Sequence, residues 1–402
     1  MQRRNFLAQL SGLAIAGQEL LSASSTVQTN EEVTGVGSNP ARRDPVKEAA
    51  KQPSVHHLLE FRGTPRVCGR AYGASQAEAI TCYSLQEVPA NEQRLQYASR
   101  CWQVLSEWEP PVVEFVRGMA EGCGRSLEET TLLLLHEEIT HTKHCTALGT
   151  TGRGSRDASP LIGQNWDWGS SAYAWPSLLR LRSDAGPATL TYSFPGLWAS
   201  AGLNEFGMSL VWTSAGYFPL FGPEVGIPTY ALIAGVLGCR NCQEVLALLK
   251  RTPNAGCFIF FLADAAGEVW VVEALPKRIE AVRCNDVISR ANHFECESIA
   301  HLAKQVVPEA SLKANSAARG PRMAQLVREH RGRIDGKVAE TLLSDHGVKL
   351  GLDICQHPVP GRDGITVDSM YALPAKKELW IARGYPCRHQ YTRYSVARCL
   401  GA

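Results

Sequence analysis

Three things are scarce in this sequence: an excess of charge of either sign, long apolar runs, and regular cysteine spacing. Lys and Arg number 41 against 39 Asp and Glu, a formal charge of +2, and no basic stripe stands out. That leaves no electrostatic footprint for nucleic acid. Beyond the N-terminus there is no stretch of 18 or more apolar residues, so no stable membrane span is expected. The 13 cysteines are many but odd in number and irregularly placed, which argues against a disulfide framework and leaves at least one thiol unpaired. Cys239 and Cys242 form a lone CxxC, half of a zinc site, and read as small residues opening a helix.

What is present is an ordinary globular composition: 402 residues, 45% of them hydrophobic, enough for one large core or two smaller ones. The N-terminus "MQRRNFLAQLSGLAIAG" sets Arg3 and Arg4 before Asn5, Phe6 and Leu7. It resembles a bacterial twin-arginine export signal, here assigned to residues 1–25, and places the protein in the periplasm or outside the cell. Residues 26–56 are rich in Ser, Thr, Asn, Glu and Lys and read as a disordered linker.

From His57 to Glu138 the apolar period is helical. Leu95, Ala98, Trp102, Leu105 and Trp108 recur at three- and four-residue spacing until Pro110 and Pro111, and Val112, Phe115, Val116 and Met119 start a second face. In "SLEE", Ser126 and Glu129 are placed for a capping box at a third helix. After Cys145 the pattern turns to short runs, "CTALG", "PLIGQNWDW", "SLLRLR", "ATLTYSF", "GMSLVWTS", "CFIFFLAD" and "EVWVVEAL", which predict strands in hairpins. Helices are expected near 228–238, 242–250 and 316–330. The chain is therefore α+β, with two sheets and helices outside them.

The stretch "LLLLHEEITHTKHCTALG" offers two chemistries. A zinc protease helix needs its histidines four residues apart, but the partner of His136 is His141, five residues on, which turns the second ring off the face of the first. No other cluster is seen that would supply three or four ligands, so metal and cofactors are expected to play no part and chelation to leave the rate alone. Cys145, at the start of a strand with Asp167 of "QNWDW" on the returning strand, instead suits an N-terminal nucleophile. There the chain is cut before the cysteine, and the new α-amine, with an unperturbed pKa near 7.7 to 8.0, is the base for its own thiol. A buried, inert thiol is the alternative.

Eight segments occur in a familiar order: "GTPRVCGRAYG", "EFVRGMAEGCGRSLEE", "HCTALG", "GQNWDW", "AGLNEFGMSL", "ANHF", "SAARGPR" and "GYPCRHQY". Together they resemble the acyl-coenzyme A:6-aminopenicillanic acid acyltransferase family, cysteine peptidase family C45, over nearly all of residues 57–395. The resemblance implies a single N-terminal nucleophile hydrolase domain over 57–402 with a four-layer αββα fold. It is made as a precursor, with a helical chain 57–144 before the cut and a catalytic chain 145–402. It implies Cys145 as nucleophile, Asp167 as the group orienting the active-site amine, Asn292 as oxyanion donor, and a backbone amide at Asn204 as a second donor. The site arginine is Arg319 or Arg362. The penicillin enzyme has glycine before its nucleophile; His144 stands here, which leaves self-cleavage at His144–Cys145 less secure than the nucleophile.

The reading that follows is a cysteine-dependent amide hydrolase or acyltransferase acting on a small N-acyl or peptide substrate. Coenzyme A is scarce outside the cytoplasm, which favours hydrolysis. Two other classes compete: a metal-binding or redox protein using the cysteines with His136, His141 and His144, and a catalytically inactive binding module of the same fold. Acyl and amine specificity and oligomeric state are not legible.

Overall fold

In the computed structural model the described residues are 55–140, 145–215, 224–306, 314–349, 351–360 and 363–396. The expected signal and nearly all of the linker lie outside them, as do His141, His144 and Arg362.

The described residues open with strand β1 (Leu58–Gly63), followed by helices α1 (Pro65–Ser75), α2 (Ala77–Glu87), α3 (Glu92–Leu105), α4 (Pro110–Cys123), α5 (Leu127–Leu134) and α6 (His136–Thr140). Pro110 and Pro111 end one helical run and start the next, because a missing amide is harmless in a first turn. The Ser126 hydroxyl accepts from the Glu129 amide at 3.1 Å and the Glu129 carboxylate accepts from the Ser126 amide at 3.0 Å, the expected capping box. β1 corrects the all-helical reading of this half. Its six residues are too few to outweigh the helical period around them, and its partner lies far along the chain.

Strands β2 (Thr146–Gly152) and β3 (Ala158–Gly169) form the expected hairpin after Cys145. β4 (Ser177–Ser183), β5 (Thr189–Phe194), β6 (Leu197–Asn204) and β7 (Ser209–Ser214) continue as a meander. Helices α7 (Thr229–Val236) and α8 (Cys242–Arg251) precede β8 (Phe258–Ala263), β9 (Val269–Leu275), β10 (Arg278–Arg283) and β11 (Val287–Arg290). As expected, the CxxC opens α8, whose N-cap is Asn241. Helices α9 (Glu297–Val306), α10 (Ala314–Glu329) and α11 (Gly336–Leu343) lead to β12 (Gly364–Leu373), β13 (Glu378–Arg383) and β14 (Thr392–Ser395).

One sheet has eight strands in the order β1-β4-β5-β6-β7-β8-β9-β10, the other six in the order β11-β2-β3-β12-β13-β14. The sheets pack face to face through β2 and β3 against β7, β8 and β9. Helices α1, α7 and α8 touch the larger sheet, and α10 and α11 the smaller. This is the αββα layering expected. It explains why "FIFFLA" in β8 is apolar throughout rather than alternating: every residue of that strand is buried, one face meeting the other sheet and the other the helices.

The linker boundary also needs correction. His56 is 5% exposed, with Nε2 2.7 Å from Asp368 Oδ1 and Nδ1 3.2 Å from the Pro176 carbonyl. The folded unit thus begins before His57, held by a polar contact that composition does not reveal.

Candidate active site

Cys145 stands immediately before β2 and is 2% exposed in the continuous chain. Its backbone carbonyl accepts from Arg319 Nη1 at 2.6 Å. Arg319, on α10, is wholly buried and spreads its guanidinium over three more groups: Thr146 Oγ1, Asn292 Oδ1 at 2.7 Å from Nη2, and Asn315 Oδ1 at 2.8 Å from Nε. A rigid fork of donors is what such a multi-point junction demands, and lysine could not supply it. Three of the residues singled out from the sequence, Cys145, Asn292 and Arg319, therefore meet at one cation.

Asn292 follows β11. With Oδ1 taken by Arg319, its Nδ2 is turned toward β7, donating to the Ser214 carbonyl at 2.9 Å and more weakly to Ser214 Oγ at 3.2 Å. Its backbone amide donates to Ser316 Oγ at 2.8 Å, and that oxygen lies 2.8 Å from His293 Nδ1. Burial, with Arg319 and Arg290 nearby, pushes His293 below its usual value. The loop carrying Asn292 is stapled from behind. Buried Glu273 accepts from the amides of Glu295 and Cys296, both at 2.9 Å, and from Arg290 Nε at 2.7 Å.

Asp167 lies near the end of β3, buried, and accepts from Thr366 Oγ1 at 2.7 Å on β12. The β2–β3 register pairs Thr146 with Asn165, so Asn165 and Asp167, two residues apart, share the face of the smaller sheet that α10 and α11 cover. Asn165 Nδ2 donates there to the carbonyls of Leu343 and Ile354, at 2.8 and 2.9 Å. Asp167 thus lies on the Arg319 side of the sheet.

Asn204 is a correction. Its backbone amide, the expected donor, is taken by the Met208 carbonyl at 2.9 Å, while its Nδ2 donates to the carbonyls of Leu237 and Cys239 and its Oδ1 accepts from the amides of Phe206 and Met208. It closes the β6–β7 turn, at the opposite end of β7 from Ser214, and cannot serve an oxyanion at Cys145. An asparagine in "NEFG" is a turn former first.

His136 is a buried structural ring: Nδ1 lies 3.1 Å from Thr140 Oγ1, and the imidazole stacks on Tyr83 at 5.7 Å. The expectation that no other metal-ligand cluster exists does not hold. Donor atoms of His346, Cys355, His357 and Cys387 converge, the first three from the connection between α11 and β12 and the last from the loop after β13. Sequence reasoning missed them because their spacing matches no zinc pattern. It also missed Thr366, Asn315 and Gln356, which brace Asp167 and Arg319; polar residues of ordinary type leave no signal. Ser316, by contrast, stood in a quoted segment.

A groove lined by Pro65, Phe115, Thr191, Trp198 and Leu237 opens between the helices and the larger sheet, and neither Cys145 nor its partners line it. Among the described residues no helix is long and apolar enough to cross a membrane.

Residues 153–348 match the family model described as acyl-coenzyme A:6-aminopenicillanic acid acyl-transferase. The span is just under half of the chain, begins shortly after Cys145 and contains Asp167, Asn292 and Arg319. The resemblance read from the motifs is thereby borne out, and the matched family is one of acyl-transferring enzymes. Similar solved structures include a mutant of conjugated bile acid hydrolase from Clostridium perfringens, at 14% identity and TM-score 0.39 over 64% of this chain and 98% of that one. Another is penicillin V acylase from Agrobacterium tumefaciens, at 15% identity and TM-score 0.42 over 64% of this chain and 90% of that one. These likenesses are too distant to carry residue roles across.

Proposed function

From a family match that takes in Asp167, Asn292 and Arg319, we propose that this chain is a cysteine-dependent amide hydrolase of the N-terminal nucleophile kind. It is made as a precursor, exported under the direction of Arg3 and Arg4, and opened at His144–Cys145. The observation that carries the reading is the wholly buried Arg319 guanidinium, joined at once to the Cys145 carbonyl and to Asn292 Oδ1. Desolvating such a cation costs several kcal/mol unless its hydrogen bonds are all well made, and these join residues far apart in sequence at the backbone of Cys145.

In self-cleavage the Cys145 sulfur attacks the His144 carbonyl, the peptide nitrogen leaves as the α-amine, and water hydrolyses the resulting thioester. The freed amine then takes the thiol proton, with Asp167 holding the ammonium. The thiolate attacks a substrate amide, the leaving amine recovers the proton, and water releases the acyl group. Asn292 Nδ2, aimed away from Arg319, is the donor for the oxyanion, which takes the place of the weaker Ser214 Oγ contact. One such donor is worth about 2.7–4 kcal/mol. The substrate is a small N-acyl or peptide amide; with an amine in place of water the same acyl-enzyme would give transfer.

Turnover of a panel of N-acyl amino acids, short peptides and β-lactams by wild type and by Cys145→Ala tests the reading. The alanine variant is expected to keep its fold by circular dichroism and lose all hydrolysis, while Cys145→Ser keeps a residue of it. Wild-type turnover in the alanine variant would overturn the nucleophile. Cell fractionation of a variant carrying Arg3→Lys and Arg4→Lys checks export: the precursor should stay in the cytoplasm, and an unchanged distribution would make the pair accidental.

A further inference from the structure

We propose that His346, Cys355, His357 and Cys387 bind one tetrahedral divalent metal ion of the zinc class, a closed structural site separate from the Cys145 chemistry. One donor atom from each of the four lies within 4.8 Å of all the others. The two sulfurs are 3.7 Å apart. His357 Nε2 is 3.5 Å from Cys355 Sγ, 3.4 Å from Cys387 Sγ and 3.1 Å from His346 Nε2. With zinc–sulfur and zinc–nitrogen bonds of about 2.3 and 2.0–2.1 Å, a tetrahedron has edges of about 3.8 Å between sulfurs, 3.6 Å between sulfur and nitrogen and 3.3 Å between nitrogens. The four observed edges each fall within a few tenths of an ångström of those values.

Hydrogen bonding accounts for less of this arrangement. His357 Nε2 approaches three groups at once, and a neutral ring nitrogen can donate one proton or accept at one lone pair. A shared centre accounts for all the approaches together. Two thiolates and two neutral imidazoles would leave a divalent ion with no net charge, which suits a half-buried position. Soft sulfur with imidazole, in four-fold geometry, selects zinc over calcium or magnesium. All four positions are filled by the protein, so no coordination site is left for a catalytic water.

The placement gives the site its role. His346 follows α11, Cys355 and His357 lie on the loop before β12, and Cys387 lies after β13. Between the two loop ligands, the Gln356 amide donates at 2.8 Å to Thr366 Oγ1, the hydroxyl that donates to Asp167. Asn315 Nδ2 donates to the Gly351 carbonyl at 3.0 Å and to Gln356 Oε1 at 3.3 Å, while its Oδ1 holds Arg319 Nε. The ion would clamp the loop on which both Asp167 and Arg319 lean.

The full chain, expressed with added zinc and purified without air, should carry about one metal ion per chain by elemental mass spectrometry. Cobalt exchanged into it should give the visible bands of a tetrahedral thiolate complex. Cys387→Ser and His346→Ala, both at exposed positions, should bind at least tenfold more weakly with unchanged circular dichroism, and Cys145→Ala should bind as wild type. Metal in fewer than about one chain in ten would overturn the proposal. So would a Cys355–Cys387 disulfide found by peptide mapping in chains lacking two hydrogens. Metal content is read without turnover, so this result stands or falls apart from the proposed activity.

Discussion

Burial raises Glu138 on α6 to about 7, against hydrogen bonds from the Thr229 hydroxyl and amide that pull it down, with Glu137 adding a little to the rise. Its folded value lies above its unfolded value of 4.5. Below the unfolded value the carboxyl is protonated in both states and costs nothing. Between there and about 7 the unfolded chain gives up its proton and the folded one keeps it, so stability falls as pH rises, by up to about 3 kcal/mol, and then levels off. Glu138→Gln keeps an acceptor for Thr229 and removes that slope. Its melting temperature should match wild type at pH 4 and exceed it at pH 8; parallel pH profiles would refute the assignment. Arg319→Lys tests the junction at the site. One ammonium cannot reach all four acceptors, and losing a charged hydrogen bond worth about 1.5–3 kcal/mol should lower kcat by ~100-fold. Steady-state kinetics on a variant with native circular dichroism would measure it. Cys145 and Asp167 drew notice through the strand pattern of the hairpin, and Asn292 and Arg319 only through the family resemblance; Thr366, Asn315 and Gln356 left no signal, because only their neighbours in space distinguish them.

At the scale of elements, the closest approach in the helical half is between α1 and α4. Gly69 and Gly73 on α1 and Gly118 and Gly122 on α4 lie so near the opposite backbone that a methyl at Gly118 would fall 2.1 Å from the Arg66 carbonyl oxygen, and one at Gly122 2.1 Å from that of Arg70. Glycine here is a packing requirement, since backbone atoms cannot rotate aside as a side chain can. Gly118→Ala should force the helices apart and cost about 1–3 kcal/mol, seen as a lower denaturant midpoint. The ion pairs of Arg66 with Glu114 and Glu121 across the same helices are exposed and should matter little. The capping box at Ser126 was readable because both halves of it lie within four residues. Strands β1 and β11 were not readable, because short strands acquire their identity from partners far away in sequence.

The piece before the proposed cut is not a detachable helical block. β1 pairs in parallel with β4, Leu58 opposite Leu178 through Gly63 opposite Ser183. Cleavage at His144–Cys145 would therefore leave two chains sharing one sheet and one core. Denaturing electrophoresis should show two bands, the larger beginning Cys-Thr-Ala-Leu-Gly, while native mass spectrometry finds both in one particle. A single intact chain in active enzyme would refute processing and demand another base for the thiol; fragments that part under native conditions would refute the shared sheet. If the metal clamp operates, chelation should lower both activity and melting temperature, contrary to what the histidine spacing at 136 and 141 alone suggested.

The sequence by itself determined what local periodicity and short-range chemistry can encode. That includes the helical run up to Glu138, the change to strands at Cys145, the hairpin that returns Asp167 on the neighbouring strand, the helix carrying Arg319, and the order of motifs that resembles the acyltransferase family. What only the tertiary structure decided are the meetings between distant segments. It joined Arg319 to the Cys145 carbonyl, gave Asn204 to a turn, drew His56 into the fold, and gathered His346, Cys355, His357 and Cys387. Those contacts are made when two sheets close on each other and loops dock on their edges, and the free energy that selects them is burial and hydrogen bonding summed over the whole core. No window along the chain contains it.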